Sequence, residues 1–162
     1  MYSEKNEDFN KLLNHAYFFL KFRPRTRKET ENYLYKKIQK HYWSRDDVTK
    51  VIKHLEELDL IDDRNFVKWF VEQRTLLKPK SAFVLKQELL KHGVDKEMIE
   101  VYFSEHSLNE EALAEKTLKE KWYRYNKLDR RKRFEKARSF LLRRGFGYDI
   151  CKKIINMLEN NN

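Results

Sequence analysis

Glycine, proline and cysteine are nearly missing from this 162-residue chain, which has 3 Gly, 2 Pro and 1 Cys. So few glycines and prolines argue against turn-rich β architecture and long loops. One cysteine excludes an intramolecular disulfide and suits a reducing compartment. No apolar run approaches the roughly 20 residues that span a bilayer, and the polar, acidic opening from Met1 to Asp8 lacks a secretory profile. The expectation is a soluble, cytoplasmic protein without a membrane segment. No glycine-rich phosphate loop occurs, so no nucleotide or other cofactor is indicated. The histidines, at 15, 41, 54, 92 and 106, form no His-x3-His pair, and a single cysteine cannot form Cys-x2-Cys, so no metal site is indicated.

What the chain does have is charge and aromatic bulk: 38% charged residues, 14% aromatic, and a formal net charge of +10. So much large apolar surface argues against disorder. The positive charge is concentrated. Between Lys116 and Lys153 there are 15 Lys and Arg against 4 Asp and Glu, and the remainder is close to neutral. A second, smaller run spans Lys21 to Lys28. Concentrated positive potential attracts a polyanion, most commonly nucleic acid. The competing reading is a solvated helical face that aids solubility.

The apolar spacing is helical almost throughout, with no sustained alternation of period two. Phe9, Leu12, Leu13, Ala16, Phe19 and Leu20 mark a first helix, ended by Pro24. Thr26 and Glu29 have capping-box spacing for a second, with Tyr33, Leu34 and Ile38 inward. Ser44 opens a third, carrying Val48, Val51, Ile52, Leu55 and Leu58. Asp62 or Asp63 caps a fourth through Phe66, Val67, Phe70 and Val71. Ser81 caps a fifth holding Val84, Leu85 and Leu89, and Gly93 closes it in a left-handed conformation. Asp95 caps a sixth through Met98, Ile99, Tyr102 and Phe103. Asn109 begins a seventh with Ala112, Leu113, Leu118 and Trp122, its acidic first turn matching the helix dipole. Asp129 precedes an eighth with Phe134, Ala137, Phe140 and Leu141. Gly145 ends that helix, and a ninth runs from about Tyr148 to Leu158.

The pattern repeats with a period near fifty residues. Ile38-Gln-Lys-His-Tyr-Trp-Ser, Leu89-Leu-Lys-His-Gly-Val-Asp and Leu141-Leu-Arg-Arg-Gly-Phe-Gly align. So do Val48, Ile99 and Cys151, then Val51, Tyr102 and Ile154, then Ile52, Phe103 and Ile155. The expected fold is all-α, with three-helix repeats at 1–60, 61–106 and 107–162, the last longer and strongly basic. Small repeated units gain core by stacking and present a spread-out binding surface rather than one cleft.

Enzyme chemistry finds little support. Cys151 aligns with core positions and reads as a buried apolar side chain. Asp62 and Asp63 read as a cap and a first-turn acid rather than a catalytic pair. His41 and His92 hold equivalent places beside a helix end, which points to a structural or backbone-capping role. Trp122, Tyr123 and Tyr125 lie among basic residues and could stack on bases, although the simpler reading puts Trp122 in the core. Arg23 aligns with Arg74, as an element of helix packing or of a periodic binding surface. Arg130 to Arg133 continue through Lys136 and Arg138 to Arg143 and Arg144, with Arg133 and Lys136 sharing a face with Arg144 only loosely. Helical triplets also bring DNA-reading helix-turn-helix units to mind. The third helices begin with acids, at Asp46-Asp47, Glu97 and Asp149, which oppose phosphate and disfavour major-groove readout.

Three stretches carry a resemblance to a known family. They are Arg23-Pro-Arg-Thr26 leading into Glu29-Thr-Glu-Asn-Tyr-Leu34; Leu58-Asp-Leu-Ile-Asp-Asp-Arg-Asn-Phe-Val67 with Arg74 and Glu88-Leu-Leu-Lys-His-Gly-Val94; and Leu142-Arg-Arg-Gly-Phe146. In order and spacing the chain resembles RecX, the bacterial regulators of the RecA recombinase, from about Ala16 to Leu158. Departures are Asp59 where a glycine is usual, Val67 for an alanine, Tyr42-Trp43 for a glycine-containing turn, and Lys80-Ser81 for a small pair. The resemblance implies an elongated, curved array that lies in the groove of the RecA filament on single-stranded DNA. It also implies inhibition of filament extension, ATP hydrolysis and strand exchange, without catalysis.

The expected partners are therefore the RecA filament and DNA, single-stranded or also duplex, bound by a monomer without a cofactor. The contact candidates are Arg23, Arg25, Arg27, Lys28, Lys78, Lys80, Arg130, Arg131, Lys132, Arg133, Arg143 and Arg144. The alternatives are a stand-alone DNA-binding protein or transcriptional regulator acting without RecA, and a purely structural helical scaffold.

Overall fold

A computed structural model describes residues 2–41 and 43–160. Tyr42, on which the first repeat's turn departs from a glycine, lies outside the described residues. Among those described there are nine helices and no strand: α1 Tyr2–Leu20, α2 Arg27–Ile38, α3 Arg45–Glu57, α4 Asp63–Leu77, α5 Ala82–Lys91, α6 Lys96–Glu105, α7 Glu110–Trp122, α8 Arg130–Leu142 and α9 Tyr148–Asn160. The expected order stands, with α1 reaching back past Phe9 because no helix breaker interrupts residues 2–8.

Local chemistry sets the boundaries. Thr26 and Glu29 form the anticipated capping box on α2, and Ser44 and Asp47 form a second on α3. Asp62 accepts from the amides of Arg64 and Asn65, Asp95 from Glu97 and Met98, Asn109 from Ala112, and Asp129 from Lys132. Each satisfies amides that a helix start leaves without an intrahelical partner.

Three helix ends share one turn. The amides of Leu60, Val94 and Phe146 return to the carbonyls of Leu55, Leu89 and Leu141, around Asp59, Gly93 and Gly145 at φ +54°, +82° and +85°. This is the Schellman closure, which demands a left-handed residue. It explains why a glycine is usual where this chain has Asp59, since a short polar side chain tolerates that geometry at some cost. Leu58, expected inward, is instead the capping residue just past α3, where the chain enters this turn, and is 50% exposed.

Two apolar clusters close on themselves. One gathers Leu12, Ala16, Leu34, Val48, Val51, Ile52 and Leu55 from α1–α3. The other gathers Ala114, Leu118, Trp122, Phe140, Leu141, Cys151, Ile154, Ile155 and Leu158 from α7–α9. In α7 the buried residues are Ala114, Thr117, Leu118 and Trp122. Ala112 is exposed, because it lies in the first turn, a half-turn away from Ala114 on the helical wheel.

The middle triplet is built differently. Where α3 and α9 place aliphatic residues, the middle triplet has Tyr102 and Phe103 in α6 and His106 just past it, and Tyr102 stacks on His106 at 4.5 Å. Among the residues of α6 only Ile99 is buried. By compactness the chain divides into two units, Met1–Trp69 with Leu89–Met98, and Phe70–Glu88 with Ile99–Asn162, so the middle triplet contributes to both.

Each unit contains the same joint. In the first, Thr26 at the start of α2 donates its hydroxyl to the carbonyl of His92 at 2.6 Å, and the Arg27 amide donates to Asp63 at 2.8 Å. In the second, the Ser81 amide donates to the carbonyl of Arg144 at 3.0 Å, and the Ala82 amide donates to Glu110 at 2.8 Å. The second helix of one triplet is thus seated on the glycine turn of the next, its first amide capped by the acid opening that triplet's first helix. Glu110 accordingly does more than complement its own helix dipole. A Cβ on Gly93 would overlap the Lys28 side chain, and one on Gly145 would overlap Ser81 Oγ and Val84 Cγ2.

Gly145→Ala is expected to destabilise the protein by about 3 kcal/mol, combining left-handed strain with overlap. In a Ser81→Ala, Val84→Ala background the strain alone, about 1 kcal/mol, should remain. Urea unfolding compares the two. Asp59→Gly, which relieves the same strain with nothing displaced, should raise stability by about 1 kcal/mol in the same assay.

Candidate nucleic-acid interface

The first two arginines of the first basic run, Arg23 and Arg25, gather on one carboxylate, Glu29. Arg23 donates to both oxygens of Glu29, at 2.6 and 3.1 Å. The Thr26 amide donates to the same group at 3.2 Å, and His92 Nδ1 lies 3.1 Å from it. Burial opposes ionisation of Glu29. The hydrogen bonds from His92, Arg23 and Thr26 outweigh burial and hold the carboxyl down at about 2. Arg25 lies 4.2 Å over the Phe19 ring and is 4.0 Å from Glu29, and burial pushes its pKa down. Arg27 pairs with Glu31 at 3.1 Å and Glu56 at 3.5 Å, and Lys28 with Glu31 at 3.8 Å. His92 therefore serves structurally through its ring as well as its carbonyl. Beside this cluster lies a groove of 620 Å³ lined in part by Phe22, Arg23, Leu60, Phe66 and Trp69.

Arg74, the counterpart of Arg23, lies 3.2 Å from Glu88 and 5.0 Å over the Phe70 ring. Both arginines thus reach an acid on the helix that follows. Lys80 also pairs with Glu88, while Lys78 is exposed.

On α8 the arginines divide by what they touch. Arg133 donates to the Leu128 carbonyl at 3.1 Å and lies 6.0 Å over Trp122. Arg144, just past the helix, covers Phe140 at 3.9 Å, and burial pushes its pKa down. Arg138 lies 5.9 Å over Phe134. These three brace the core of α7–α9 with their charged heads. Arg130 and Arg131, side chains 86% and 88% exposed, pair with Glu159 at 3.2 Å and Glu135 at 3.3 Å. Lys132 pairs with Asp129 at 3.4 Å. Arg143 is exposed, and among the described residues it has no ion-pair partner. It lines a groove of 370 Å³ with Tyr125, Glu135, Lys136 and Ser139.

The twelve candidates fall in both units. Arg23, Arg25, Arg27 and Lys28 surround α2 in the first unit, while Lys78, Lys80 and the α8 residues belong to the second. Lys136 lies beside Arg143 rather than on the face of Arg133 and Arg144. Ser139 is not among the contacts expected from the sequence, although the spacing 136, 139, 143 marks one helical face; Tyr125, which the sequence offers as a base-stacking aromatic, lines the same groove. Trp122 is buried in the core, Tyr123 is exposed, and Cys151 is buried with its thiol pKa pushed up by burial. Among the described residues no three of His, Cys, Asp and Glu gather as a metal site, and no helix is long and apolar enough to cross a membrane.

Three-helix triplets repeated in tandem define an all-α repeat protein. Residues 62–101 match the family model of the second three-helix domain of RecX, and residues 109–155 match that of the third. The regulatory protein RecX of Streptococcus equi subsp. zooepidemicus is 30% identical over 142 residues, covering 87% of this chain and 53% of that protein. The one from Prosthecochloris aestuarii is 28% identical over 156 residues, covering 96% and 99%. The crystal structure of RecX from Lactobacillus salivarius superposes with a TM-score of 0.73 at 29% identity, covering 95% of this chain and 98% of the other. The chain belongs to the RecX family of regulatory proteins. It spans about half the length of the streptococcal relative and nearly all of the Prosthecochloris one.

Glu29 sets a pH dependence. Its carboxyl is lowered from 4.5 to about 2 in the folded state, so its contribution is complete above 4.5 and is lost as pH falls toward 2. Glu29→Gln should cost about 1–3 kcal/mol at neutral pH by leaving Arg23 and the Thr26 amide poorly satisfied. It should also flatten the fall in stability between pH 4.5 and 2, measured by urea midpoints across that range.

Proposed function

We propose that this protein regulates homologous recombination by binding the RecA filament on single-stranded DNA. It would inhibit filament extension, ATP hydrolysis and strand exchange while catalysing nothing itself. The observation that carries this reading is membership of a family of regulators, with matches to its second and third domains in order. The basic surface of the second unit supports it, since a DNA-centred filament is a polyanion. Of the twelve basic residues named from the sequence, Lys132 and Arg143 are the proposed DNA contacts, in a monomer of three repeats, at 1–60, 61–106 and 107–162, that works in the cytoplasm without a cofactor.

The test is ATP hydrolysis by RecA on single-stranded DNA as the protein is titrated in. Hydrolysis should fall in proportion to filament-bound protein, scored by co-sedimentation. Unchanged hydrolysis with no co-sedimentation at low salt would overturn the reading. Tight, sequence-preferring binding to duplex DNA without RecA would favour a stand-alone DNA-binding regulator instead.

A further inference from the structure

The arginine run at the start of α8 draws the eye in the sequence, yet most of its charge is already engaged. Arg130 has Glu159, Arg131 has Glu135, and Arg133 is turned onto Leu128 and Trp122. Further along, Arg138 and Arg144 lie over Phe134 and Phe140. What is left is a line on another face: Lys136, Ser139 and Arg143, with Lys132, paired to Asp129, one turn before them. These residues recur every three or four positions, so they follow one side of the helix. Lys136, Ser139 and Arg143 are exposed and share a groove with Tyr125 and Glu135. Among the described residues neither Lys136 nor Arg143 has an ion-pair partner. The acid in that groove, Glu135, is held by Arg131 at 3.3 Å, and the acid beside Lys132 is Asp129 at 3.4 Å.

From this we infer that the Lys132–Lys136–Ser139–Arg143 face of α8, with Tyr125 beside it, is a phosphodiester track for single-stranded nucleic acid. The inference deepens the proposed function by assigning direct DNA contact to one face, and it rests on that reading for the identity of the strand. Neighbouring members of the line are about 5 Å apart along the helix axis, at 1.5 Å rise per residue. A sugar-phosphate backbone presents single charges at regular short intervals to meet them. Lysine, arginine, serine and tyrosine are all side chains that hydrogen-bond phosphate oxygens. An acidic protein surface would meet the two cations equally well. The strand is chosen over it because the proposed function centres on one, and binding to a naked oligonucleotide separates the two.

The experiment measures affinity for a naked oligothymidylate against salt concentration for the full chain. For Lys136→Gln with Arg143→Gln, the slope of log affinity against log salt should fall by about 1.4, at about 0.7 per phosphate contact on a single strand. Arg130→Gln with Arg131→Gln should leave the slope near wild type. Ser139→Ala should lower affinity with no change in slope, because a hydroxyl releases no counterion. All these positions are exposed, and far-UV circular dichroism melts verify folding. An unchanged slope in the Lys136, Arg143 variant overturns the track, as does a larger loss in the Arg130, Arg131 variant or no wild-type binding at low salt. If wild-type protein binds the strand with the expected slopes yet leaves RecA hydrolysis untouched, the track stands and filament regulation falls.

Discussion

The constraint on which the fold depends is the joint between successive triplets, where the start of one second helix is seated on the glycine turn of the next triplet. A helix start leaves amides without intrahelical partners, and burying them unsatisfied costs about 1–3 kcal/mol each. Here the partners come from the neighbouring triplet. Asp63 takes the Arg27 amide and Glu110 takes the Ala82 amide, while Thr26 and Ser81 reach the carbonyls of His92 and Arg144. The first amide of α2 and that of α5 are thus satisfied from outside their own triplets. The joint also explains the glycines twice over: the Schellman turn needs a left-handed residue, and the approaching helix leaves no room for a Cβ.

Most of the helical order was legible in the sequence because its signals are local. Thr26, Ser44, Ser81, Asp95, Asn109 and Asp129 sit where a cap must be, and a cap needs only residues within one turn. The register Val48, Ile99 and Cys151 was equally readable, and all three are buried. Leu58 and Ala112 failed because periodicity counts apolar residues without knowing where the chain turns away or which face the neighbour covers. The cross-caps of Asp63 and Glu110 were not legible at all. Both acids satisfy the ordinary expectation for a first helical turn, and nothing within that turn reports an amide 36 or 28 residues away.

The site was less legible than the fold, for a related reason. Counting cations treats Arg133, Arg144 and Lys136 alike, whereas packing separates them by length and geometry. Guanidinium groups cover aromatic rings and reach carbonyls while keeping their charge, so arginine is readily drawn into bracing. Arg25 over Phe19, Arg74 over Phe70 and Arg144 over Phe140 show the same use at three places. The density of arginine in a stretch is therefore a poor guide to where free positive charge is presented.

Bracing and binding thus compete for the same residue class, and the repeats resolve the competition differently. Around Thr26 the cations are held by Glu29, Glu31 and Glu56, so that region contributes order more than field. Along α8 there are too few acids to match the cations. Once Glu135 and Glu159 are engaged, Lys136 and Arg143 have no acid left within ion-pair reach among the described residues. The surplus follows from composition, since an excess of 11 positive charges between Lys116 and Lys153 cannot be neutralised locally. Self-repulsion among such charges disfavours the folded state, and a bound polyanion relieves it. A structural scaffold alone gives no reason to keep that repulsion in one repeat and remove it from the others.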